Sequence, residues 1–156
     1  MRGFQNKARQ YALKLLSYRG RSEKELEGRL RKKGFPEGVI SSTLEHLRHI
    51  GLINDGALAE SLRREALTSK LLGQNGVRRF MLSRGIPGDI VSSFLNPDEK
   101  EDIENARKLV NKKLRTMGNY SSEAIKRRLH NLLLRKGYSH ETIRAVLRDK
   151  NFDEED

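Results

Sequence analysis

The chain has 156 residues, 35% hydrophobic and 34% charged, with 32 Lys and Arg against 21 Asp and Glu and a net charge of +11. It has no cysteine, which excludes a disulfide framework, a Cys-based zinc site and a thiol nucleophile. No apolar run approaches the ~18 residues of a membrane span, and Met1 to Lys7 form no apolar secretory region, so a cytoplasmic protein with no membrane partner is expected.

The periodicity is helical nearly throughout, and Leu, Ile, Val and Phe, about a quarter of the chain, suffice for a thin leucine-rich core. Tyr11, Leu15 and Tyr18, with Ala8 and Ala12, mark a first helix over about 6–18. Ser22 with Glu25 reads as a capping box for the next, which carries Leu26 and Leu30 and is stopped by Gly34. Pro36 suits the first turn of a third helix with Ile40, Leu44 and Leu47. Asn54 or Asp55 caps a fourth over about 54–71, with Leu58, Leu62 and Ala66 on one face. Leu71–Gly76 is glycine-rich, but no Gly-Lys-Ser/Thr follows, so it reads as the turn before a fifth helix and not as a phosphate loop. Gly85 and Pro87 then repeat the stop and start. Asn96-Pro97-Asp98 opens a seventh helix over about 98–115. Its acids Asp98, Glu99, Glu101, Asp102 and Glu104 suit the positive end of a helix dipole better than a metal ion. Gly137 stops the eighth helix, and Ser139 is the N-cap candidate of the ninth.

These stops form an internal repeat. Gly34, Gly85 and Gly137 lie 51 and 52 residues apart. Around them, apolar residues align in every copy: Leu26, Leu30, Phe35, Ile40 and Leu44; Val77, Met81, Ile86, Val91 and Leu95; Leu129, Leu133, Tyr138, Ile143 and Leu147. The expected fold is all-α: three tandem three-helix repeats, over 1–53, 54–97 and 98–150, with an acidic tail over 151–156. A ~50-residue unit has little core of its own, so neighbours are expected to stack into an elongated, curved array.

Catalytic chemistry finds little support, and neither a cofactor nor a metal is expected. His46 and His49 share a helix face but lack further ligands and read as ordinary helix residues. Charge is more informative: residues 1–53 carry 12 basic and 5 acidic side chains, 54–95 carry 6 and 4, 96–148 carry 13 and 7, and 149–156 carry 1 and 5. The middle helix of each repeat is cationic: Arg29, Arg31, Lys32 and Lys33; Arg78, Arg79 and Arg84; Lys126, Arg127, Arg128, Arg135 and Lys136. Lys33, Arg84 and Lys136 each precede a stop glycine, where a cation also favours the negative helix end. These twelve residues are the candidate surface for a polyanion or an acidic protein. Aromatic platforms are scarce, so DNA contact should be weak, phosphate-led and non-specific.

Ala12-Leu13-Lys14-Leu15-Leu16, then Arg19-Gly20-Arg21-Ser22, Glu25-Leu26 and Leu30-Arg31-Lys32-Lys33-Gly34-Phe35, resemble the opening signature of the bacterial RecX family. Gly51 to Ala59 is similar to that family's link into its second repeat, with Leu58 where an aromatic is common. Gly73, Leu82 and Arg84-Gly85-Ile86 resemble the second repeat, and the third matches by pattern. The resemblance implies a regulator, not an enzyme, and a monomer is expected. It implies a protein that binds the RecA–DNA filament and limits its ATP hydrolysis, extension and strand exchange. The rival reading is an autonomous DNA-binding protein of helix-turn-helix type, against which the absence of a repeated base-reading set counts.

Overall fold

A computed structural model describes residues 2–148; residues 149–156, which include the acidic tail, lie outside the described residues. The described chain is all-α and without strands. Its helices are α1 (Arg2–Tyr18), α2 (Glu23–Lys33), α3 (Glu37–His49), α4 (Asp55–Thr68), α5 (Gln74–Ser83), α6 (Gly88–Phe94), α7 (Glu99–Leu114), α8 (Ser122–Arg135) and α9 (His140–Arg148).

Local chemistry sets most boundaries. Ser22 Oγ accepts from the Glu25 N–H while the Glu25 carboxylate accepts from the Ser22 N–H, a complete capping box. Asn54 caps α4 by accepting from the Ala57 N–H, and Asp98 caps α7 by accepting from the Lys100 N–H. Ser121 and Ser139 do the same for α8 and α9. Gly34, Gly85 and Gly137 take left-handed φ values of 98°, 79° and 89°. Each stop glycine donates its N–H to the carbonyl three residues back, of Arg31, Leu82 and Leu134. The next residue in each copy donates to the carbonyl five back, of Leu30, Met81 and Leu133. This is the Schellman closure, and its apolar contact joins two of the aligned columns.

Three boundaries differ from the periodicity. α1 begins at Arg2, four residues ahead of the start expected at about residue 6. α4 stops at Thr68, because the Lys70 and Leu72 N–H groups turn back onto the Glu65 and Ala66 carbonyls and Leu71 adopts a positive φ of 50°. α6 ends at Phe94, so Leu95 lies past the helix and is only half-buried. Tyr18, at the last residue of α1, is exposed instead of joining the core.

The chain forms two compact units: the part up to Ser61 together with Met81–Ser93, and Leu62–Phe80 together with the part from Phe94 onward. In the first, α1 packs on α3 and α2 around Ala8, Ala12, Leu15, Leu26, Leu30, Ile40, Leu44 and Leu47, with Phe35 at the margin. Ala8 and Ala12, one turn apart and fully buried, are small enough to let α1 approach closely. In the second unit, α7 packs on α9 and α8 around Ala106, Leu109, Val110, Leu129, Leu133, Tyr138, Ile143, Val146 and Leu147. Each fully buried Leu or Ile contributes roughly 1.5–3 kcal/mol, and the two clusters are the main stabilising mass. Of the middle aligned set, Val77, Met81, Ile86 and Val91 are buried.

Candidate functional site

The residue ahead of each stop glycine behaves differently in the three copies. Arg84 is largely buried: its Nε donates to the Glu25 carboxylate at 3.2 Å and its Nη2 to the Gly20 carbonyl at 2.9 Å. Lys136 Nζ donates to the Lys70 carbonyl at 3.1 Å. Lys33 is exposed and makes no such link, its ammonium lying 5.3 Å from the centre of the Tyr11 ring. Two of the three therefore join the end of one middle helix to the loop before the preceding one.

The adjoining glycines explain the closeness of these links. A Cβ on Gly85 would stand 2.6 Å from Ser22 Oγ, and one on Gly137 would fall on the backbone of Gly76. A Cβ on Gly34 would meet nothing within 4 Å. Each junction also receives a carboxylate from the following first helix. Asp55 Oδ1 accepts from the Glu23 N–H at 3.0 Å, and Asp102 Oδ2 from the Gln74 N–H at 3.1 Å. Each acid thus satisfies an orphan amide at the start of the preceding middle helix. Burial pushes the Asp102 carboxyl above its ordinary range, against the Gln74 hydrogen bonds. Burial also opposes the charged form of Glu25, but the Ser22 N–H and the Arg84 guanidinium outweigh it and hold that carboxyl below its ordinary range.

The other predicted cations divide into held and open groups. Arg31 is clamped by Glu37 at 2.7 Å and Glu27 at 2.8 Å, both at the surface. Arg79 donates to the Arg135 carbonyl at 3.3 Å. Arg128 stacks over the Tyr120 ring at 4.2 Å. Arg29, Lys32, Arg78, Lys126, Arg127 and Arg135 are exposed.

A concentration of positive charge lies in the second unit, around a groove of about 520 Å³ between α7 and α8. Met117, Leu132 and Leu134 supply apolar lining, and Lys113, Arg128 and Arg135 supply charge. Lys136 borders this region. Burial lowers its affinity for a proton first, and the nearby charges of Lys70, Lys113, Lys112 and Arg135 lower it further. Four cations felt at one ammonium make a surface that favours an anion. Among the described residues, no three or more His, Asp or Glu side chains come together to hold a metal ion. No described helix is long and apolar enough to cross a membrane.

Residues 8–47 match the model of the first three-helix domain of RecX, and residues 99–147 that of the third. The chain belongs to the RecX family. A protein named regulatory protein RecX from Amycolatopsis mediterranei is 30% identical over 145 residues, spanning 92% of this chain and 83% of that one. The RecX regulatory protein of Bacillus mycoides is 34% identical over 152 residues, covering 96% of this chain and 56% of its own length. The chain thus spans little more than half of such longer relatives. The crystal structure of RecX from Lactobacillus salivarius superposes with a TM-score of 0.80 at 27% identity, over 96% of this chain and 97% of that one. The all-α repeat fold and membership of a family of regulatory proteins follow from these matches.

Sequence reasoning centred on the middle helices and so passed over Lys70, Lys112 and Lys113. Lys112 and Lys113 occupy the last turn of α7, where the adjacent pair was visible in the sequence but its approach to the cations of α8 was not. Lys70 had no local signal, because a positive-φ Leu71 and the 67-residue span to Tyr138 Oη place its loop.

Proposed function

We propose that this chain binds the RecA–DNA filament and restrains RecA ATP hydrolysis, filament extension and strand exchange. The observation that carries this reading is the groove between α7 and α8, where Lys113, Arg128 and Arg135 surround an apolar strip. Cations over an apolar lining suit a polyanion backbone or an acidic protein face, and a recombinase assembled on DNA presents the first in its phosphates. Family membership supports the choice of RecA as partner. The open cations Lys126 and Arg127 stand on the same helix, α8, and Arg29, Lys32 and Arg78 are further open candidates for contact, whereas Arg84 and Lys136 act indirectly by fixing the helices that carry them. Bare DNA is bound weakly and non-specifically, with a salt slope near −0.7 per phosphate neutralised on a single strand. The test is ATP hydrolysis by RecA on single-stranded DNA with and without the chain. A lowered steady-state rate is expected. An unchanged rate, together with sequence-specific duplex binding, would favour the autonomous helix-turn-helix alternative.

A further inference from the structure

The two internal junctions use one recognition unit, and the first repeat carries a third copy of it that packs against no middle-helix start among the described residues. In the filled copies, Arg84-Gly85-Ile86 sits on the loop and first turn of α2, and Lys136-Gly137-Tyr138 on those of α5. The third residue of the unit is covered in both, Ile86 and Tyr138 each being 2% exposed. The open copy is Lys33-Gly34-Phe35 at the end of α2. There Lys33 is exposed, Phe35 is only half-buried and Gly34 has free space around it.

We propose that Lys33-Gly34-Phe35 is a docking surface for an acidic helix start on a partner protein. The partner's chemistry is read from the filled copy at α2. The left-handed glycine lets the two backbones approach, with Gly85 against the capping Ser22. The cation reaches the carbonyl two residues before the cap, at Gly20, and the first-turn carboxylate of Glu25. The apolar residue seals the contact. The complementary segment is therefore a helix opened by a serine-type cap, with a glutamate in its first turn and a free carbonyl just ahead of it. Charge agrees with this choice: Arg29 and Lys32 stand exposed beside Lys33, while the nearby acids Glu27 and Glu37 are both engaged by Arg31. A second copy of the chain is the poorer occupant. Its α8 start has Ala124 at the position of Glu25, and both repeats that would meet carry excess positive charge.

The test uses the whole chain and a stapled helical peptide that begins with residues 19–26 of this sequence carrying Arg19→Ala, Arg21→Ala and Lys24→Ala, so that Glu23 and Glu25 are its charged side chains, followed by a neutral helical segment. Binding is read by fluorescence anisotropy and the footprint by amide shifts in NMR spectra. Shifts should centre on Lys33, Gly34 and Phe35. Lys33→Glu should weaken binding about tenfold, and a peptide with Lys in place of Glu25 should bind that variant better than it binds the unaltered chain. Absence of binding at about 1 mM peptide, or shifts centred on the α7–α8 groove, would overturn the proposal. So would concentration-dependent self-association of the chain alone that Lys33→Glu abolishes, since a second copy would then be the occupant. None of these readouts depends on RecA, so failure here leaves the proposed function standing, and the reverse also holds.

Discussion

Replacing Gly137 with alanine tests the junction at the end of α8 against a control built into the same chain. Gly137 and Gly34 have nearly the same backbone, with φ of 89° and 98°. Alanine in that region costs about 1–2 kcal/mol for any L-residue, so this part is common to both substitutions. The surroundings differ. At Gly34 the new methyl group enters open space, whereas at Gly137 it lands on the backbone of Gly76, which has no rotamer to yield. Relief requires the end of α8 to withdraw from the start of α5. That movement stretches three hydrogen bonds: Gly73 N–H to the Lys136 carbonyl at 2.9 Å, Asn75 N–H to the Gly137 carbonyl at 3.2 Å, and Tyr138 Oη to the Leu71 carbonyl at 2.7 Å. At a net ~0.5–1.5 kcal/mol each, their loss adds roughly 1.5–4.5 kcal/mol to the shared cost. Gly137→Ala should therefore destabilise the fold by about 1.5–4.5 kcal/mol more than Gly34→Ala. Urea unfolding followed by circular dichroism gives the difference, and hydrogen exchange at the Gly73 and Asn75 amides locates it. Equal losses for the two variants, with exchange at those amides unchanged, would refute the packing argument.

Three further outcomes follow from the same structure. Glu25 has a carboxyl pKa held below its ordinary value of 4.5, so the folded state releases that proton more readily than the unfolded chain. Its stabilising contribution is complete above that value and is lost as pH falls through the lower folded one; Glu25→Gln should therefore lose stability at neutral pH, by roughly 1–3 kcal/mol, and the gap to the unaltered chain should close on acidification in urea titrations. Leu30→Ala and Leu133→Ala, at positions with no solvent exposure, should each cost about 2–5 kcal/mol in thermal or urea unfolding, and an unchanged melting curve would place the aligned register in error. Reversing Lys112, Lys113 and Arg135 to Glu should relieve the proposed RecA inhibition while preserving helicity, whereas reversing Arg2, Lys7 and Lys14 on α1 should leave it in place; equal loss in both would mean that net charge alone acts.

Helix starts and stops were legible in the residues because the interactions that make them span only three to five positions. Ser22 and Glu25, Asn54, Asp98, Ser139 and the three left-handed glycines all act within one turn of where they stand. The aligned apolar columns were legible for a related reason: a repeat must bury the same helix face each time. The roles of Arg84 and Lys136 were not. In the sequence they match Lys33, and a cation at a helix end has the same local value in all three copies. What separates them is a carbonyl more than sixty residues away, at Gly20 or Lys70, brought within reach only when a glycine lets two backbones touch. Asp102 was read as serving its own helix and instead caps α5. The cationic groove has the same origin, since α7, α8 and the loop at Lys70 contribute charges whose addition depends on through-space distance, a quantity fixed by packing and not by position along the chain.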